Sequence, residues 1–121
     1  MKILIADTAR DTKRVLKKIF GDEGYECVFI ENSKEIIDKV YRDLPDIIIL
    51  DIKLSQPTAL KILERLKSAP STREIPAILI ATRKAQRTLK KGYALWAYDY
   101  ISKPYFREEV LARIGNIIYI R

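Results

Sequence analysis

The sequence predicts an α/β fold in which helices cover both faces of a parallel, doubly wound sheet. Of the 121 residues, 48% are hydrophobic, which is enough for a packed core and too many for a disordered chain. Short apolar runs alternate five times with longer amphipathic segments, a pattern typical of strand–helix units joined by right-handed crossovers. The run Ile47–Leu50 lies between two acids, which indicates a strand buried on both faces. We therefore expect residues 1–121 to form one domain.

The N-terminal half of the chain contains three predicted strands and two predicted helices. The strands cover Lys2–Ala6, Tyr25–Ile30 and Asp46–Asp51, each a short run of apolar or β-prone residues. The helices cover Thr8–Glu23 and the segment Asn32–Leu44, where apolar residues recur every three or four positions. The residues expected to face the core on these two helices are Val15, Leu16, Ile19, Phe20, Ile36, Ile37, Val40, Tyr41 and Leu44.

The C-terminal half continues the alternation with two strands and three helices. The strands are expected at Ile75–Ala81 and Ala97–Ile101. A third helix is expected to carry Pro57 in its first turn, a short fourth helix to cover Lys84–Lys91, and a fifth helix to cover Tyr105–Ile120. The core-facing residues of the third and fifth helices are expected to be Leu60, Leu63, Leu66, Val110, Leu111, Ile114, Ile117 and Ile118.

Local signals mark the ends of the first two helices. Thr8 and Asp11 have the spacing of a capping box at the start of the first helix, and Gly21 or Gly24 is expected to end it. Pro45 ends the second helix, because proline cannot donate a backbone hydrogen bond within a helix.

The composition narrows the classes of function. The chain has no histidine, which removes histidine-based acid–base catalysis and the commonest ligand of transition metals. Its one cysteine, Cys27, cannot form an internal disulfide, so we expect a reducing, cytoplasmic setting. No apolar run approaches the ~20 residues that span a bilayer, so no membrane partner is expected. The net charge of +7 permits an acidic partner, but no helix-turn-helix or aromatic–basic strand motif supports direct nucleic-acid binding.

Polar residues stand at the carboxyl ends of four predicted strands, where ligands bind in open α/β sheets. Asp7 follows the first strand, Asp51 ends the third, Thr82 follows the fourth and Lys103 lies just beyond the fifth. Each of them alone is more often a cap, turn or surface residue. Their occurrence at four strand ends predicts one site built from two carboxylates, a hydroxyl and an ammonium group.

Four segments carry a resemblance to a known family. They are Lys2–Asp7, Pro45–Leu54, Ile75–Thr82 and Asp99–Pro104. On these segments, and over its full length, the chain resembles the receiver domain of response regulators in two-component signalling, the CheY-like family. The resemblance implies a three-layer (βα)5 doubly wound sheet with the flavodoxin-like strand order 2-1-3-4-5.

The resemblance also implies a signalling switch, not an enzyme, that receives a phosphoryl group from a histidine kinase or histidine phosphotransfer protein. Asp51 would be the phosphoacceptor. Asp7, Asp51 and the backbone carbonyl of Lys53 would hold Mg²⁺, a hard cation that prefers oxygen ligands. Thr82 and Lys103 would bind the phosphoryl oxygens. The side chain of Lys53 could stabilise the phosphoryl group or pair with Asp51 before phosphorylation.

The output mechanism that the resemblance implies is a conformational switch. Thr82 and Tyr100 would form this switch, in which the aromatic ring turns inward when the hydroxyl moves. The Lys103–Pro104 bond would be cis. The fourth helix, fifth strand and fifth helix, roughly Lys84–Arg121, would then form the face that contacts an output domain or partner protein, and a homodimer through this face stays open.

The chain departs from the family at several positions. Family members usually carry two adjacent acids after the first strand, whereas here Asp7 is followed by Thr8, so we expect weak Mg²⁺ binding with Thr8 as a minor contributor. This loss supports an alternative, a pseudo-receiver that acts as a phosphorylation-independent protein-interaction module. A phosphohydrolase with an aspartate nucleophile is disfavoured, because the chain is too short to supply a cap or a larger cleft.

The predicted output face is unusually basic and aromatic. Arg83 and Trp96 flank the proposed switch, where relatives usually have small residues. Five basic residues lie in a stretch that has no acid, here called the basic cluster, namely Arg83, Lys84, Arg87, Lys90 and Lys91. The cluster predicts either a solvated helix face or a docking surface for an acidic partner.

Overall fold

A computed structural model of the chain describes residues 1–7, 9–82 and 97–120. Within those residues, five strands form a single parallel sheet in the order β2-β1-β3-β4-β5. The strands are β1 (Lys2–Ala6), β2 (Glu26–Ile30), β3 (Ile47–Asp51), β4 (Ala77–Thr82) and β5 (Asp99–Lys103). This arrangement confirms the predicted parallel sheet and its strand order.

Helices cover both faces of the sheet. The α-helices of the described residues are α1 (Arg10–Asp22), α2 (Ile36–Asp43), α3 (Ala59–Ser68) and α4 (Arg107–Ile120), and a 3-10 turn at Ser33–Glu35 precedes α2. The short helix predicted at Lys84–Lys91 lies outside the described residues. No helix in the described part of the chain is both long and apolar enough to cross a membrane.

Two apolar clusters, one on each face of the sheet, form the core. Successive side chains of a strand point to opposite faces, and this alternation divides the residues of β1 and β3 between the clusters. Leu4 and Leu50 pack with α2 and α3 on one face, whereas Ile5 and Ile49 pack with α1 and α4 on the other. Every residue of β3 is buried, as predicted for a strand covered on both faces.

All four described α-helices begin later than the sequence predicts, and at two of them the predicted first residues are wrong. The start predicted at Thr8, which lies outside the described residues, is wrong, because Ala9 is the N-cap residue of α1 and its side chain makes no capping hydrogen bond. The expectation that Pro57 lies in the first turn of α3 is also wrong. The hydroxyl of Thr58 accepts a hydrogen bond from the amide of Lys61 at 3.2 Å, so Thr58 is the N-cap residue and Pro57 precedes the helix.

Of the two glycines predicted to end α1, Gly24 is the one that does so. Gly24 adopts a φ of 80°, in the left-handed region that favours glycine. Its amide donates to the carbonyl of Gly21 at 3.0 Å, and the amide of Tyr25 donates to the carbonyl of Phe20 at 3.0 Å. This pair of bonds is a Schellman motif, which satisfies carbonyls that the end of the helix would otherwise leave without partners.

Three residues that were predicted to face the core are exposed, namely Tyr41, Leu44 and Ile118. Tyr41 and Ile118 each follow a buried residue and point about 100° away from it around the helix, which here places their side chains outside the buried stripe. Leu44 is 53% exposed because α2 ends before it. It is the C-cap residue, with a left-handed φ of 44° that turns its side chain away from the helical stripe.

Candidate functional site

The carboxyl ends of β1, β3, β4 and β5 meet at one edge of the sheet. β1 and β3 are neighbours, so Asp7 and Asp51 extend from adjacent strand ends. Thr82 pairs with Lys103 across β4 and β5, and both are the last residues of their strands. These two strands begin and end slightly later than predicted, so the hydroxyl and ammonium groups belong to the sheet and not to the loops after it.

The ammonium group of Lys103 contacts both carboxylates. Its Nζ lies 2.8 Å from Oδ2 of Asp51 and 3.1 Å from Oδ2 of Asp7. The two carboxylate side chains are only 3% and 5% exposed, whereas the lysine side chain is 26% exposed. Charge-assisted contacts at these distances are strong, particularly where water is excluded. The structure therefore brings three of the four predicted strand-end residues into direct contact.

The backbone that follows β3 holds the other side of Asp51. The N–H of Lys53 donates a hydrogen bond to Oδ1 at 2.7 Å, and the N–H of Leu54 donates to the Asp51 carbonyl at 3.1 Å. The side chain of Lys53 is exposed. The predicted pairing of that side chain with Asp51 is therefore replaced by two contacts, one from the Lys53 amide and one from Lys103.

Burial and hydrogen bonding shift the pKa values of the three charged groups in different directions. Burial raises the pKa of Asp51 above its usual value, Lys103 opposes this rise, and the neighbouring Asp7 adds to it. Burial also acts to raise the pKa of Asp7, but hydrogen bonds from Thr12 and Ala9 outweigh it, and the pKa is lowered. The two carboxylates likewise outweigh the effect of burial on Lys103 and raise its pKa. Asp51 is thus the carboxylate that takes up a proton more readily.

Two hydroxyl groups extend from Asp7 in a chain that the sequence did not indicate. Oγ1 of Thr12 donates a hydrogen bond to Oδ2 of Asp7, and the hydroxyl of Tyr105 lies 2.6 Å from the same threonine oxygen. The other carboxylate oxygen, Oδ1, accepts a hydrogen bond from the N–H of Ala9 at 3.1 Å. Burial raises the pKa of Tyr105 to about 12, so its hydroxyl stays protonated at neutral pH. Thr12 and Tyr105 are 93 positions apart, and only the packing of α1 beside the end of β5 brings them together.

The other predicted residues lie around the charged groups. Thr82 is exposed at the end of β4. Tyr100 is half-buried in β5 and packs against the core cluster on the α2–α3 face. The Lys103–Pro104 peptide bond is cis, and both residues line, with Tyr105, a cavity of about 340 Å³ beside the site.

The oxygen donors at this edge suit a hard divalent cation. Mg²⁺ commonly binds proteins through one or two carboxylates and keeps several of its waters. The converging carboxylates of Asp7 and Asp51 meet this requirement. In the described part of the chain, no three His, Cys, Asp or Glu residues cluster in a way that could hold a metal ion, and Thr8 lies outside that part. The donor set therefore fits a cation that fills much of its coordination shell with water.

The predicted output face, Lys84–Arg121, is described only over residues 97–120. Over that range Tyr98, Phe106 and Ile118 expose apolar surface. Arg113 of α4 pairs with Asp99 of β5, with Nη1 3.1 Å from Oδ1, which ties the helix to the start of the edge strand. The basic cluster and Trp96 lie outside the described residues.

Comparisons with known proteins give relatives of one kind. The family model described as the response regulator receiver domain matches residues 3–115. Response regulator MprA of Mycobacterium leprae is 29% identical over 118 residues, which cover 98% of this chain and 51% of that protein. The phosphate regulon transcriptional regulatory protein PhoB of Pseudomonas aeruginosa is 28% identical over 116 residues, which cover 96% and 51%. The chain thus spans about half the length of these curated relatives.

Solved structures show the same fold. The chemotaxis response regulator CheY4 of Vibrio cholerae matches with a TM-score of 0.86 and 20% identity, over 96% of this chain and 97% of that one. A two-component response regulator from Clostridium difficile matches with a TM-score of 0.85 and 24% identity, over 98% and 96%. With a family model that matches nearly the whole sequence, and with the strand order of the fold in place, the chain belongs to the response regulator receiver domain family of two-component signalling.

Proposed function

We propose that this receiver domain is a phosphorylation switch in which Asp51 accepts the phosphoryl group. The observation that carries the proposal is the burial of Asp51 at the end of β3, 2.8 Å from the ammonium of Lys103 and beside a second acid. Burying two carboxylates side by side disfavours the charged form of at least one of them, and such arrangements concentrate at functional sites. Membership of the receiver family supports the same role.

The proposed reaction is transfer from a phosphohistidine of a histidine kinase or histidine phosphotransfer protein. A carboxylate oxygen of Asp51 forms a bond to phosphorus, the phosphorus–nitrogen bond of the donor breaks, and the imidazole nitrogen leaves with the electron pair. The group in transit spreads negative charge over its oxygens, so the domain contributes mainly positioning and positive charge. Lys103 supplies an ammonium and Thr82 a hydroxyl donor from adjacent strand ends.

Mg²⁺ would be held by Asp7, Asp51 and the backbone carbonyl of Lys53, with Thr8 as a minor contributor. The cation would neutralise charge that accumulates on the transferring group. Thr8 stands where relatives usually have a second acid, so we expect weaker Mg²⁺ binding and slower phosphorylation than in a two-acid receiver. A Mg²⁺ titration alongside such a receiver tests this expectation, and equal affinities would contradict it.

The output step would couple the site to the face formed by β5 and α4. Phosphorylation adds roughly −1.5 to −2 charge and new acceptor oxygens, which can draw the Thr82 hydroxyl toward the phosphoryl group. Tyr100, one strand away, would then turn inward. We infer an output domain or partner protein at the Lys84–Arg121 face, a homodimer as a further use of that face, and a cytoplasmic location with the kinase.

A second candidate function follows from the small number of acidic side chains at the site. Among the described residues, the site holds two carboxylates and no third acid close enough to share a metal. A pseudo-receiver would keep the fold as a phosphorylation-independent interaction module. The Lys103 contacts would then serve only to neutralise the buried acids.

The deciding experiment is the intact mass of the protein after incubation with acetyl phosphate and Mg²⁺. The wild type should gain a single phosphoryl adduct, which Asp51→Asn and a Mg²⁺-free sample should lack. An adduct that persists in Asp51→Asn would disprove the assignment of the acceptor. No adduct on the wild type, with acetyl phosphate and then with a phosphorylated histidine phosphotransfer protein as donor, would favour the pseudo-receiver.

A further inference from the structure

We propose that Thr12 and Tyr105 are positioning residues that hold Asp7 in the orientation that binds Mg²⁺. This inference rests on the proposed cation site. A receiver with one acid after β1 depends on that carboxylate more than a receiver with two. The hydroxyl chain from Tyr105 through Thr12 to Asp7 fixes the carboxylate that remains.

The donor and acceptor roles in this chain are set by chemistry. An ionised carboxylate can only accept hydrogen bonds, so the hydroxyl of Thr12 must donate to Asp7. That commits the only proton of the threonine hydroxyl. The hydroxyl of Tyr105, 2.6 Å away, must therefore donate to the threonine oxygen. Each bond polarises the next, so the two hydroxyls act on the carboxylate together.

The contacts around Asp7 leave its carboxylate little freedom to rotate. Oδ1 is held by the amide of Ala9 at 3.1 Å, and Oδ2 is held by Thr12 together with Nζ of Lys103 at 3.1 Å. The contacts come from α1, from the end of β5 and from the turn that precedes α1. Thr12 is 1% exposed, so water cannot replace its hydroxyl at low cost. Hydrogen bonds that orient a metal-binding carboxylate in this way commonly change metal affinity when they are removed.

The test measures the affinity of the protein for Mg²⁺ in the absence of a phosphodonor. The titration is followed through the amide NMR signals of Ala9 and Lys53, because these amides donate hydrogen bonds to the two carboxylates. We expect Thr12→Val to weaken Mg²⁺ binding about tenfold, Tyr105→Phe to weaken it several-fold, and Thr12→Ser to retain wild-type affinity. Tyr25→Phe is the matched control, because Tyr25 packs against the same core cluster as Tyr105 and is also half-buried.

Phosphorylation separates positioning from a general loss of structure. With acetyl phosphate, Tyr105→Phe should need several-fold more Mg²⁺ for half-maximal rate and should reach the wild-type rate at saturating Mg²⁺. Unchanged Mg²⁺ affinity in both Tyr105→Phe and Thr12→Val, or equal losses in Thr12→Ser and Thr12→Val, would overturn the inference. If the wild type binds Mg²⁺ but takes no phosphoryl group, an affinity loss in Tyr105→Phe still supports positioning, while the proposed phosphorylation fails.

Discussion

At the scale of single residues, Asp51 is placed where its charge is costly. It is almost fully buried and lies beside another acid, and burial raises its pKa. A residue whose folded-state pKa is raised favours folding while it is protonated, and loses that advantage as the pH rises through the raised pKa. Near neutral pH the ionised Asp51 should therefore lower the stability of the domain.

We therefore predict that Asp51→Asn stabilises the metal-free domain. The amide oxygen can accept from the Lys53 N–H as the carboxylate does, and Lys103 keeps Asp7, 3.1 Å away, as its anionic partner. In EDTA at pH 7, urea denaturation should show a gain on the order of 1 kcal/mol. The gain should shrink at acid pH, where wild-type Asp51 is itself protonated. A variant that is less stable than the wild type at pH 7 would contradict the argument.

Removal of Lys103 should have the opposite effect. Lys103→Met leaves two buried carboxylates without their shared cation and should cost on the order of 2 kcal/mol. The cost falls below that of a fully buried pair because Asp51 can take up a proton. Mg²⁺ should raise the melting temperature of Lys103→Met more than that of the wild type, because the ammonium group no longer competes with the cation for the two carboxylates.

Lys17→Met is the control for this prediction. It removes an exposed lysine of α1 that lies outside the site, so its stability and its response to Mg²⁺ should match those of the wild type. Equal melting temperatures for Lys103→Met and Lys17→Met in EDTA would show that the bridging contacts contribute little.

Sequence reasoning could identify one part of the site and not the other. Asp7, Asp51 and Lys103 lie at or just beyond the carboxyl ends of strands, and the topology of a parallel sheet brings strand ends together whatever the details of packing. Thr12 and Tyr105 carry no such signal. A threonine in the first turns of a helix usually indicates a cap or a helix surface, and its contact with a tyrosine depends on how α1 packs beside β5.

At the scale of elements, the C-terminal end of α1 allows a paired test of backbone conformation. A Cβ added at Gly21 or at Gly24 would meet no atom within 4 Å, so neither substitution causes a clash. Gly24 has a φ of 80° and Gly21 is helical, so alanine should destabilise at Gly24 by about 1 kcal/mol and stabilise at Gly21 by roughly 0.5–1 kcal/mol. Urea denaturation of the two variants measures the difference, and effects of equal sign would refute the Schellman assignment.

The sequence predicted which elements exist better than where they end. Apolar periodicity depends on the average environment of a segment, and the described strands and α-helices appear where that pattern predicts them. The ends depend on single competing contacts. Pro57 precedes α3 instead of lying in its first turn, because the hydroxyl of Thr58 caps the helix by reaching the Lys61 amide. Leu44 leaves the stripe of α2 because the helix ends one residue before it.

At the scale of the whole molecule, phosphorylation and signal output can be separated. We predict that Thr82→Ala still gains a phosphoryl adduct with acetyl phosphate, because Asp51, Asp7 and Lys103 remain in contact. Its Tyr100 amide signal should, however, move less on phosphorylation than that of the wild type. Amide NMR spectra with and without acetyl phosphate test both parts. An unchanged Tyr100 response in Thr82→Ala would remove the hydroxyl from the proposed switch.

The architecture explains how a change at the site could reach a distant face. β3 is buried along its whole length, and its side chains belong alternately to the two core clusters. Tyr100 packs against one cluster, whereas α4 packs against the other. A movement of β3 at the carboxyl end of the sheet can therefore be transmitted to the helices on both faces.

The bridge made by Lys103 has a mechanical consequence. β5 and β1 are separated by β3 and β4, so their backbones lie three strand spacings apart, roughly 14 Å in a sheet. One lysine and one aspartate side chain span that width and still meet at 3.1 Å. The contact is therefore sensitive to the relative positions of β1 and β5, because a small change in the twist between neighbouring strands adds up over three intervals. The distance between the Lys103 ammonium and the Asp7 carboxylate should therefore change when any of the strands from β1 to β5 twists relative to its neighbour.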